Sequence, residues 1–184
     1  MRPPVLPAIE AATKKLGFNM ASNDETGALL RALAASRPGG RVLELGTGTG
    51  FSTAWILEGM DSNARLISVD ESAAFQAVAR EHLRDPRCEF VTGDGGEFIL
   101  AQPPESLDFI FADAWSGKYT HLDEVIALLK PGALYLVDDL LPQPNWPADH
   151  PPKVERYLAA MHARDDLQVV EFDWGTGHLL ASKI

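Results

Sequence analysis

The chain has 184 residues, 46% hydrophobic and 23% charged, a mix that suits one globular domain with one sizeable core. Its formal net charge of −10 repels a phosphate backbone, and no run of Lys or Arg offers a local basic patch, so nucleic acid and anionic membranes are excluded as expected partners. The single Cys88 can form no internal disulfide, residues 1–4 lead into no long apolar run, and no apolar stretch approaches a membrane span, so the expected setting is cytoplasmic.

Taken in chain order, residues 4–18 carry apolar positions near helical spacing, and Asn23 or Asp24 is placed to cap a second helix over residues 28–35. Pro38-Gly39-Gly40 breaks it. A short apolar strand, Arg41–Leu45, follows, then a glycine run at 46–50 and a helix over 52–58. A second strand, 65–69, ends at Asp70, with a helix over 72–84 behind it. A third strand, 89–92, turns through Gly93-Asp94-Gly95-Gly96 into a helix over 97–101. A fourth, strongly apolar strand, 107–112, ends at Asp113. A helix is expected over 119–129, stopped by Pro131-Gly132, and a fifth strand over 133–137 ends at Asp138-Asp139. The stretch 141–152 holds five prolines with Trp146 and His150, and reads as a stiff loop. A helix over 153–164 and two strands, 167–173 and 179–183, complete the chain.

Five alternations of strand and helix specify a parallel sheet with helices on both faces. The last two strands have too short a connection for a crossover helix and must pair antiparallel. The expectation is one α/β domain over residues 1–184: a doubly wound seven-stranded sheet, mostly parallel with an antiparallel C-terminal strand. Residues 1–40 form a helical cover and 141–152 a substrate lid.

In such sheets ligands bind outside the carboxyl ends of the strands. Residues 46–50, Asp70, Asp94, Asp113 and Asp138-Asp139 all fall on that edge, which random loop acids would not do. Glycines at 46, 48 and 50 permit dihedrals closed to other residues and let a ligand approach the main chain. A dinucleotide fingerprint needs its third glycine one place later, where Phe51 stands. Asp70, twenty residues after Gly50, is suited to accept from both hydroxyls of a ribose, or to cap the next helix, or both.

Glu44 followed by Gly46-Thr47-Gly48-Thr49-Gly50 resembles motif I of class I S-adenosylmethionine-dependent methyltransferases. The likeness in order and spacing runs from Gly27 onward and implies their Rossmann-like fold. It is nearest to the small catechol-type and bacterial O-methyltransferases, whose fourth- and fifth-strand motifs 107–114 and 134–139 resemble. The resemblance implies S-adenosylmethionine as cofactor, with S-adenosylhomocysteine as product. The implied cofactor-binding set is Glu44, Gly46, Thr47, Gly48, Gly50, Ser52, Asp70, Glu71, Gly93, Asp94, Gly95, Asp113 and Trp115. Asp94 would meet the adenine amine, and Trp115 would pack near the adenine or the substrate.

The resemblance also implies Mg²⁺ or another divalent cation on Asp113, Asp138 and Asp139, where it would lower a hydroxyl's pKa and orient it. Two departures stand out. Asp139 replaces the family's Asn. The family's catalytic lysine position carries Ser116, and Lys118 lies two residues later. Asp113 and Lys118 are the candidate catalytic residues; without a metal, the base falls to Lys118, His121 or His150. The implied reaction is methyl transfer to a hydroxyl oxygen of a small aromatic or diol-like acceptor. The alternatives are a metal-independent N- or protein methyltransferase, a cofactor-binding protein without catalysis, and a nicotinamide enzyme, which Phe51 argues against. A homodimer is the default assembly.

Overall fold

The computed structural model describes residues 2–144 and 146–184. Asn145, inside the expected lid, and Met1 lie outside the described residues. The elements run α1 Leu6–Leu16, α2 Asp24–Ala35, β1 Arg41–Leu45, α3 Phe51–Gly59, β2 Arg65–Asp70, α4 Ala73–His82 and β3 Cys88–Thr92. They continue with α5 Gly95–Leu100, β4 Leu107–Ala112, α6 Leu122–Ala127, β5 Leu129–Val137, α7 Pro151–His162, β6 Leu167–Phe172 and β7 His178–Lys183. The seven strands form one sheet in the order β3-β2-β1-β4-β5-β7-β6. Strands β1 to β5 are parallel; β7 runs antiparallel to β6, as the short last connection requires, and also antiparallel to β5.

The central strands are apolar on both faces, as burial from both sides demands. Along β4, Phe109 and Phe111 face one core with Leu6, Ile9, Leu30 and Ile56, while Ile110 and Ala112 face the other with Tyr135, Val154 and Met161. The period of two places helices α1–α3 on one face and α6–α7 on the other. Glu44 interrupts this pattern: it is a fully buried carboxyl in the middle of an apolar strand. Among the described residues, no helix is long and apolar enough to cross a membrane.

Three boundaries differ from expectation for local reasons. Helix α2 starts at Asp24, because the Asn23 side chain accepts the Thr26 N–H at 2.9 Å and caps it four residues early. Helix α7 starts at Pro151, since two prolines in the first turn lack only N–H groups that would be unpaired there. Between β4 and α6, residues 116–120 make a tight turn rather than a helix, with Gly117 and His121 in the left-handed region. Its Gly117 N–H donates to Thr120 O at 2.7 Å, and the turn carries Lys118 inward. Pairing of β4 with β5 already begins at Leu107–Leu129, slips over Lys130-Pro131-Gly132, and resumes at Phe109–Leu134.

Candidate active site

The carboxyl ends of β1, β2, β4 and β5 are stitched together by main-chain bonds. Gly46 N–H donates to Val69 O at 2.9 Å, Asp113 N–H to Leu45 O at 2.9 Å, and Asp138 N–H to Ala112 O at 3.3 Å. Along this edge runs a cavity of about 740 Å³, within the range of small-ligand sites. Of the expected cofactor set, Gly46, Thr47, Gly48, Ser52, Asp70, Glu71, Gly93, Asp94, Gly95, Asp113 and Trp115 line it. A smaller cavity, about 380 Å³, lies at the opposite, amino ends of β1–β3 beside Arg41, Arg65 and Cys88, where none of these residues reach.

The glycine loop has the shape of a cradle. At Gly46 φ is +102°, and a Cβ would come within 2.6 Å of Asp113 O; at Gly48 it would meet the Phe18 ring at 3.1 Å. The Asp70 carboxylate closes one side, Oδ2 accepting from Gly48 N–H and Oδ1 from Ser72 N–H, each at 2.7 Å. Asp94 Oδ1 accepts Glu97 N–H at 2.8 Å and caps α5. A carboxylate has room for further donors, so capping leaves both acids able to meet hydroxyl or amine groups. These residues fit an adenosyl group.

Two members of the expected set sit elsewhere. Glu44 is behind the loop, not on the cavity: its oxygens accept from Ser52 Oγ at 2.6 Å, Thr53 Oγ1 at 2.5 Å and Ser68 Oγ at 2.5 Å. Burial outweighs those donors and pushes its carboxyl up to about 7. Glu44 thus braces the loop against α3 and β2. Gly50 caps α3 at φ +92°, and a Cβ there would meet Ala79 Cβ at 2.7 Å, so it serves helix packing.

The implied metal set is not assembled. Asp138 Oδ1 accepts from Asp139 N–H at 2.7 Å and from the Thr176 hydroxyl, and lies 3.1 Å from His178 Nε2. Both Asp139 oxygens accept from Trp146 Nε1, at 3.1 and 2.9 Å. Asp113 is half-buried with Ser22 Oγ 3.4 Å away, and desolvation with the Asp138 charge holds its carboxyl well above the usual range. Among the described residues no three His, Cys, Asp or Glu side chains are grouped to hold an ion. The carboxylates do not fit an octahedral cation because each is turned to a different protein partner.

Lys118 is only 4% exposed and lines the cavity, with Nζ donating to Asp138 O at 2.7 Å and Asp139 O at 3.0 Å. Burial draws it below the ordinary lysine range, against the pull of Asp113, Asp139 and Asp138. His121 instead abuts Gly96 of α5, and His178 is buried behind Asp138, so neither is on the cavity. His150 is. Its Nε2 lies 3.0 Å from the Tyr119 hydroxyl, and its ring is 4.2 Å from Trp146. Trp115, 54% exposed, stands edge-on to Tyr119 at 6.0 Å with Lys153 Nζ 4.2 Å over its face. Tyr119, Thr176 and the 18–22 segment were missed from sequence; only the aromatic spacing Trp115–Tyr119 hinted at the first.

A doubly wound α/β sheet with a glycine cradle and an acid at the next strand end is the arrangement suited to a nucleoside-bearing cofactor. Residues 43–140 match the family model described as a methyltransferase domain, and the chain belongs to that family. It is 31% identical over 145 residues to a catechol O-methyltransferase of Mycobacterium tuberculosis, covering 75% of this chain and 66% of that one. It is 28% identical over 148 residues to catechol O-methyltransferase B of Danio rerio, covering 74% and 56%. The chain thus spans well under the whole length of the curated relatives it matches, 56% to 66% of these two. The O-methyltransferase of Bacillus cereus, solved in complex with SAH, shares the fold at a TM-score of 0.87 and 20% identity, covering 100% of this chain and 92% of that one.

Proposed function

We propose that the chain transfers a methyl group from S-adenosylmethionine to a hydroxyl oxygen of a small aromatic or diol-like acceptor. One observation carries this reading: a single cavity joins the cradle at Gly46, Gly48, Asp70 and Asp94 to an aromatic end formed by Trp115, Tyr119, Trp146 and His150. Asp70 is suited to accept from the ribose hydroxyls and Asp94 from the adenine amine. When bound, the cofactor supplies an activated methyl group and leaves as a neutral thioether.

The chain's own work is alignment and proton removal. Aromatic faces of Trp115 and Trp146 hold a flat acceptor. The acceptor's hydroxyl proton passes to Tyr119 Oη as the Tyr119 proton moves to His150 Nε2, 3.0 Å away. Burial and the charges of Lys118 and Lys153 lower the His150 pKa below the ordinary value of 6.5, so its ring is neutral and able to accept at pH 7. In this reading residues 141–152 act as a lid over the acceptor and 18–22 as a cover over the cofactor.

The test is transfer of isotopically labelled methyl from S-adenosylmethionine to a panel of catechols, monophenols and amines. Labelled aryl ethers are the expected product. Label on amines alone, or on protein alone, would overturn the choice of oxygen.

A further inference from the structure

Just past β5 the main chain bends back, and the Lys118 side chain lies in the bend. Asp139 adopts φ +63°, a left-handed conformation that costs a non-glycine residue free energy and persists only where the surroundings fix it. With that bend, two successive carbonyl oxygens, of Asp138 and Asp139, converge on Lys118 Nζ at 2.7 and 3.0 Å. The side chains of the same two residues serve the structure instead. The Asp138 carboxylate binds Thr176 and neighbours His178, and the Asp139 carboxylate binds the Trp146 indole. Lys118 is buried yet borders the cavity, and the carbonyls it meets belong to two residues that each carry a carboxylate, Asp138 and Asp139. A buried ammonium is tolerated where hydrogen bonds and opposite charge surround it, and here both do.

We infer that the Lys118 ammonium is the resident cation of this site and that the protein takes no divalent metal there. An ammonium has three donors; two are used on the carbonyls, and the third is available to the acceptor's oxygen. As the hydroxyl proton leaves to Tyr119 and His150, Lys118 stabilises the charge left on oxygen and keeps its own proton. That last role rests on the functional reading above; the absence of a metal site does not.

The test uses the full chain with S-adenosylhomocysteine present. Mn²⁺ is titrated and followed by electron paramagnetic resonance, and turnover of a catechol is measured before and after thorough chelation. The inference expects no saturable Mn²⁺ binding at millimolar metal, turnover unchanged by chelator, and a roughly 100-fold loss of kcat in Lys118→Met with S-adenosylhomocysteine affinity retained. Saturable Mn²⁺ binding by the wild type, loss of turnover on chelation, or full kcat in Lys118→Met would each overturn it. If Lys118→Met fails to fold, the wild-type metal titration still decides. A wild type that binds no S-adenosylhomocysteine sinks the methyltransferase reading instead, and the Mn²⁺ titration remains readable without it.

Discussion

The Asp70 carboxylate accepts the Gly48 main-chain N–H at 2.7 Å, so the end of β2 holds the glycine loop of β1 from across the crevice. One side chain thereby shapes the cradle and offers acceptor capacity to whatever enters it. Replacing it removes both. Asp70→Ala is expected to weaken S-adenosylhomocysteine binding by about 10- to 100-fold, since hydrogen bonds to a charged group contribute about 1.5–3 kcal/mol. Calorimetry on wild type and variant checks this, with circular dichroism confirming that the sheet persists.

Glu44 carries a pH signature. Its buried carboxyl is pushed up to about 7 from the ordinary value of 4.5. The folded state therefore binds this proton more tightly than the unfolded state. Stability is greatest below the unfolded value, falls as pH rises through about 7, and stays low above it. The difference is worth about 3 kcal/mol at most. Glu44→Gln keeps the shape without the charge, so the slope between mildly acidic and mildly alkaline pH should flatten. Urea unfolding of both proteins on either side of neutrality measures it; an unchanged slope would place the carboxyl in solvent contact.

The glycines separate into packing and open positions. A Cβ at Gly50 would meet Ala79 Cβ at 2.7 Å and Leu83 Cδ1 at 3.0 Å, at φ +92°, whereas at Gly93 nothing lies within 4 Å. Gly50→Ala should cost roughly 1–3 kcal/mol of stability, the usual range for overpacking. Gly93→Ala should be close to neutral in thermal unfolding.

The fold was largely legible in the sequence, and the site only partly. Strand number and sense follow from alternating periods and the short β6–β7 link, neither of which depends on distant contacts, whereas the strand order is set by the tertiary pairing. The cofactor edge was legible because glycines and strand-end acids mark it locally. Glu44 was misplaced because an acid before a glycine run looks the same from either side of the strand. Only the pleat, which points it toward α3 with Ser52 and Thr53, decides. The 116–120 turn was hidden too: Tyr119 to Leu129 has helical composition, and the left-handed Gly117 and His121 that delay the helix are tertiary choices. That turn is what buries Lys118, and sequence spacing alone could not show it.

Tyr119 and His150 act as a pair in the proposed proton path. Tyr119→Phe and His150→Gln should each lower kcat by about 10²- to 10⁴-fold, the range for lost general-base catalysis, and the double variant by little more than either alone. Because His150 titrates below its ordinary value, wild-type kcat/KM should fall with acidification only below about pH 6.5. His150→Gln should lose that acid limb. Rates across a pH series for the three proteins decide it.

The central claim is that the crevice bounded by the 46–48 main chain and Asp70 receives an adenosyl group. Titrating S-adenosylhomocysteine into the protein in a calorimeter tests it most directly. The account predicts saturable one-to-one binding that Asp70→Ala weakens. Absence of heat, or affinity indifferent to Asp70, would contradict it.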